Sequence, residues 1–62
     1  MTWEELKEKA KEMGADLYLS NERECIFHKN IFYFSDGSIL WGHKQYEHRT
    51  PEQMLMIMRG LE

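Results

Sequence analysis

A chain of 62 residues has room for one domain, spanning 1–62, and buries only about 60% of the surface it exposes when unfolded, so its core is thin. Hydrophobic residues at 42% and charged residues at 31% exclude disorder and a collagen-like fibre, and no apolar run reaches the roughly 20 residues a bilayer span needs. Eleven acidic against eight basic residues leave a formal charge of −3, the wrong sign for gripping a phosphate backbone.

The single cysteine, Cys25, forbids an intrachain disulfide and argues against a disulfide-stapled secreted miniprotein. Met1 is followed by Thr2-Trp3-Glu4-Glu5 rather than by a basic and then apolar segment, so no signal peptide is expected and the protein reads as cytoplasmic.

The chain opens with a helix signal. Thr2 is a good N-cap residue and Glu5 stands three residues later, the spacing of a capping box. Trp3, Leu6, Ala10 and Met13 then recur at helical intervals, and Glu5 and Lys9 form a favourable pair four residues apart. Gly14 supplies the left-handed residue that closes such a helix, which is expected over about Thr2 to Met13. Its exposed side is crowded with Glu4, Glu5, Glu8 and Glu12, interleaved with Lys7, Lys9 and Lys11.

From Ala15 onward the period becomes two. Leu17 and Leu19 alternate with Asp16, Tyr18 and Ser20, as in a half-buried edge strand. A turn at Asn21-Glu22 leads to runs over Glu24–His28 and Ile31–Phe34, parted by Lys29-Asn30. Asp36-Gly37 is a strong two-residue hairpin signal, and Ile39-Leu40-Trp41 forms the last strand. The stretch from Gly42 to Arg49 reads as irregular. A second helix starts with Thr50 as cap, Pro51 as first helical residue and Gln53 closing a capping box, and runs to about Arg59 or Leu61. Met54, Ile57, Met58 and Leu61 make its buried face. The expected fold is therefore α+β: an antiparallel meander of three or four strands with both helices on one face, in the order α-β-β-β-β-α.

Two-residue turns at Lys29-Asn30 and Asp36-Gly37 write out a register. It places Cys25, Phe27, Phe32, Phe34, Ile39 and Trp41 on one face and Glu24, Ile26, His28, Ile31, Tyr33, Ser35, Ser38 and Leu40 on the other. The first set is wholly apolar and is expected to face the helices. The second, half polar, is expected to face outward, where Ile26, Ile31, Tyr33 and Leu40 would form an apolar patch with His28 and Glu24 at its rim. On this reading Tyr33→Asp keeps the fold and loses a partner, whereas Phe32→Asp unfolds the domain. Met56 points away from the buried face of the second helix and joins Ile26, His28, Ile31, Tyr33 and Leu40 as a candidate contact residue.

Catalytic signatures are lacking: there is no glycine-rich phosphate loop, no G-x-S-x-G elbow and no H-E-x-x-H pair. Cys25 is expected to be a buried core thiol, a poor nucleophile. Cys25 and His28, with His43 and His48, have a composition zinc could use, but residues three apart on a strand leave opposite faces, so the histidines read as solvated and neither a metal site nor a cofactor is expected.

The helix–strands–helix order resembles that of double-stranded-RNA-binding domains. In that family basic residues at the start of the last helix clamp phosphates, where this chain has Pro51-Glu52-Gln53-Met54 preceded by Arg49, so no nucleic-acid partner is expected. Trp3-Glu4-Glu5-Leu6 with Ala10-Lys11-Glu12-Met13-Gly14, the Asp36-Gly37 hairpin, and Arg49-Thr50-Pro51-Glu52-Gln53-Met54 resemble small uncharacterised proteins of phages and prophages of Gram-positive bacteria. The resemblance implies a mobile-element protein that modulates or inhibits one host or phage protein. The expected function is thus a non-catalytic protein-binding module. The alternatives are a homodimeric structural protein and, further off, a zinc-binding or double-stranded-RNA-binding domain.

Overall fold

The computed structural model describes residues 1–61. Helix α1 (Trp3–Glu12) begins where Thr2 accepts the Glu5 backbone N–H on its hydroxyl at 3.2 Å. It closes with Gly14 at φ +86°, the Gly14 N–H reaching Lys11 O at 3.0 Å and the Ala15 N–H reaching Ala10 O at 2.9 Å. Those two bonds are the Schellman pattern that satisfies the last helical carbonyls. Helix α2 (Pro51–Gly60) carries the complete capping box, Thr50 N–H to Gln53 Oε1 at 2.9 Å and Gln53 N–H to Thr50 Oγ1 at 3.2 Å.

Between the helices runs a five-stranded antiparallel meander in sequential order: β1 (Asp16–Ser20), β2 (Arg23–His28), β3 (Ile31–Phe34), β4 (Ile39–Trp41) and β5 (Lys44–Tyr46). The fifth strand replaces the irregular segment expected there. Its signal was the dipeptide Gly42-His43: Gly42 lies at φ +61°, the first central position of a two-residue hairpin turn, and Trp41 pairs with Lys44. Asn21-Glu22 and Lys29-Asn30 both adopt positive φ at both residues, the turn whose twist matches the strands; the first pairs Ser20 with Arg23, and the second sets the expected β2–β3 register of Ile26 with Tyr33 and Phe27 with Phe32.

The β3–β4 connection is one residue different from expectation. Phe34 N–H bonds Ser38 O at 2.9 Å and Gly37 N–H bonds Phe34 O at 3.1 Å, with Gly37 at φ +95°. This is a four-residue turn ending in a glycine bulge, and it pairs Tyr33 with Ile39 and Phe32 with Leu40. A slip of one residue exchanges faces, so Ile39 and Trp41 join Tyr33, and Leu40 joins Phe32.

Both helices cover the face expected to look outward. Ile26, Ile31, Tyr33 and Ile39 are fully buried against Leu6, Ala10, Met54, Leu55 and Met58. Polar residues on this face misled the sequence reading, because a polar side chain can sit beside a helix that satisfies it. Glu24 accepts the Trp3 indole N–H at 2.8 Å and pairs with Lys7, both from α1. On α2 the buried set is Met54, Leu55 and Met58; Ile57 is only partly buried and Leu61 is exposed, a small rotation of the expected stripe.

Lys7, and then the Trp3 indole, hold the Glu24 carboxyl below its ordinary value of 4.5. A depressed carboxylate contributes stability above its unfolded pKa that is lost as pH falls through the lower folded value. Glu24→Gln is therefore expected to lower the melting temperature at neutral pH and to flatten its decline below pH 4.5, in thermal melts followed by circular dichroism. A decline as steep as that of the wild type would mean that the pair contributes nothing to the acid limb.

Candidate functional site: the uncovered sheet face

Among the described residues no helix covers the opposite face of the sheet. The strand register sets Tyr18 beside Cys25, Cys25 beside Phe34, Phe27 beside Phe32, and Phe32 beside Leu40. These side chains line a shallow depression of about 460 Å³. The Phe27 and Phe32 rings lie 4.6 Å apart, tilted by 38°, and Phe32 and Phe34 stack at 6.5 Å. All three phenylalanines are half-buried by one another, while Tyr18 and Leu40 are exposed. Aromatic pairs of this spacing add about 0.5–1.5 kcal/mol beyond area burial, so the platform is held in place before anything binds it.

Arg23 closes one end of the platform. Its guanidinium lies 4.5 Å over the Phe34 ring and donates to Asp36 Oδ2 at 2.7 Å. Arg23, and then the Ser38 N–H on the other carboxylate oxygen, hold Asp36 below the usual carboxylate range. Asp16 stands at the far end of the β1–β2 pair on the same face, so the rim carries the Arg23–Asp36 ion pair at one end and the Asp16 carboxylate at the other. Cys25 lies within it but only 3% exposed, and desolvation raises its thiol pKa, which leaves it a packing group rather than a nucleophile. It opens to the uncovered face and His28 to the helix face. Among the described residues no three His, Cys, Asp or Glu side chains gather closely enough to hold a metal ion.

Of the six contact residues expected from sequence, only Leu40 belongs to this surface. Ile26, Ile31 and Tyr33 are fully buried and His28 nearly so, all beneath the helices and closed to a partner. His28 is thus a core histidine, whereas His43 and His48 are exposed as expected. Two polar atoms in that core, His28 Nδ1 and the Tyr33 hydroxyl, have no hydrogen-bond partner among the described residues, and burial pushes the Tyr33 phenol up to about 12. Met56 is exposed, as expected, but on a different surface: a groove of about 370 Å³ between α2 and the β4–β5 hairpin, with Trp41, Tyr46, Arg49, Gln53 and Ile57. Sequence reasoning assigned to the core four sheet residues that reach the surface: Trp41, exposed beside that groove, and the three platform phenylalanines Phe27, Phe32 and Phe34. Their signal was available as three aromatics at alternate positions on two adjacent strands.

No family model matches the chain, and neither a curated protein nor a solved structure is significantly similar to it.

Proposed function

We propose that the chain is a non-catalytic protein-binding module whose contact surface is the uncovered aromatic face of its sheet. The observation that carries this reading is the continuity of Tyr18, Phe27, Phe32, Phe34 and Leu40 across four strands with both helices on the other side. A monomer that leaves a contiguous aromatic patch in water forgoes burial that its own chain does not supply, and such patches mark contact sites. Aromatic anchors with an arginine at the rim are also the composition in which interface binding energy concentrates. The rigid stacking means that little side-chain freedom is lost on docking. The resemblance to small phage and prophage proteins directs the search for the bound protein to lysates of Gram-positive bacteria.

Phe32→Asp tests the reading. The new charge stays in water, so the variant is expected to fold, with a wild-type circular dichroism spectrum, and to lose whatever protein the wild type captures in an affinity pull-down. A folded Phe32→Asp that captures the same protein as strongly as wild type would move the contact surface elsewhere.

A further inference from the structure

We infer that the outer edge of β1 binds an extended peptide segment of another protein, which adds to the sheet as a sixth strand; this surface shares only Tyr18 with the aromatic platform. The register fixes which backbone groups are free there. Ser20 pairs with Arg23 across a two-residue turn, so those two residues exchange bonds, and bonded and unbonded pairs then alternate along the strands. Tyr18 and Asp16 are thus bonded to β2, whereas Leu17 and Leu19 direct their N–H and C=O away from it. Glu24, opposite Leu19, correspondingly turns to β3, its carbonyl accepting the Ser35 N–H at 3.1 Å. Among the described residues nothing bonds the outward groups of Leu17 or Leu19. Their spacing, about 6.8 Å, is the repeat of alternate residues in another extended main chain, which is the ligand chemistry such an edge recognises.

The two edges of the sheet differ. β5 has three residues, begins with Lys44 and, by the same alternation, turns outward only the groups of Gln45. Short strands and lysine are devices that keep an edge from pairing. β1 has five residues in unbroken register, with no bulge, proline or lysine. Its apolar side chains stand in water: Leu19 is 73% exposed on the helix side of the edge and Tyr18 53% on the aromatic side. Apolar residues at alternate positions of an incoming strand would lie beside Leu17 and Leu19 and cover them. Charge sets the ends of that strand. Asp16 begins β1 and Glu22 lies in the turn beyond it, both without an ion-pair partner among the described residues. The one cation of this hairpin, Arg23, is held by Asp36, and Lys7 is held by Glu4 and Glu24. Lys9 and Lys11 lie in the last turn of α1, where cations offset the negative end of the helix itself. The segment that fits is apolar at alternate positions and basic at its ends.

Selection from a random-peptide display library against the full chain is the test, with the enriched peptides resynthesised and followed by nuclear magnetic resonance. Bound peptide is expected to slow hydrogen exchange at the Leu17 and Leu19 amides. Leu19→Pro removes one outward N–H and none of the bonds to β2, so it is expected to keep the circular dichroism spectrum and to weaken binding about tenfold. Leu19→Lys keeps that N–H but brings to the edge the residue that guards β5, and is expected to weaken binding by a similar factor. Phe32→Asp is expected to bind the peptides as the wild type does. Loss of binding in Phe32→Asp but in neither Leu19 variant would move the peptide to the aromatic platform, overturning the inference while sparing the platform as a contact surface. A library with no enrichment over a surface bearing no protein overturns it, as do peptides bound equally by wild type and both Leu19 variants. Self-association without peptide that Leu19→Lys abolishes would give the edge to a second copy and overturn the inference as well.

Discussion

Tyr33→Asp should leave no folded protein at 25 °C. Tyr33 is 0% exposed at the centre of the covered face, flanked across the strands by Ile26 and Ile39. The substitution removes the ring and places a carboxylate in its site among the apolar side chains of the core. Stranding such a charge costs several kcal/mol, against a total stability for a domain of this size of about 3–9 kcal/mol. The far-UV spectrum should be that of an unfolded chain, and a cooperative melt would place Tyr33 outside the core. Tyr33→Phe is the matched control. The hydroxyl is buried with no partner, so deleting it relieves an unpaid desolvation and should raise stability by about 1 kcal/mol in urea titrations. A loss of that size instead would reveal a hydrogen bond made by the hydroxyl.

Gly37→Val should be nearly as damaging, though Gly37 sits in a turn. At φ +95° it holds a conformation that a β-branched residue scarcely adopts. A Cβ there would also stand 3.1 Å from the Arg49 carbonyl oxygen, part of the backbone that leads into α2. The Gly37 carbonyl accepts the Arg49 N–H at 2.8 Å, so any shift of the turn pulls on the α2 cap. Strain and crowding together are expected to cost about 3 kcal/mol, read as a lower urea midpoint with an unchanged slope. A midpoint within error of wild type would show that the hairpin re-forms without its bulge.

That same glycine explains how far the sequence could be read. Helix ends were legible because Thr2, Gly14, Thr50, Pro51 and Gln53 act within four residues of themselves. The turns at Asn21-Glu22 and Lys29-Asn30 were legible for the same reason, and with them the two faces of β2 and β3. Asp36-Gly37 announced a hairpin but not its loop length. One extra residue decided the faces of Ile39, Leu40 and Trp41. Which face the helices cover is a question of tertiary handedness, and apolar residues lay on both sides. Counting polar groups gave the wrong answer because Glu24 is satisfied by Trp3 and Lys7, and because His28 and Tyr33 are buried with unpaired atoms. The candidate surface inherited that inversion: Ile26, Ile31 and Tyr33 lie under the helices and Phe27, Phe32 and Phe34 on the uncovered face, while the existence of an uncovered, partly apolar sheet face was correctly anticipated.

The sequential strand order has a kinetic consequence. Each strand pairs only with its neighbours in the chain, so every hairpin closes a loop of a few residues and forms on the microsecond scale. One event needs the chain nearly entire: α2 meeting α1, which brings Met54 and Met58 onto Leu6 and Ala10 and ties the amino terminus to Glu52 at 2.6 Å. Folding is then a quick local zippering followed by one long-range closure. A ribosome still holding α2 in its tunnel would carry a sheet bare on the α2 side as well as on its aromatic side, and release of the last helix would be the step that commits the fold.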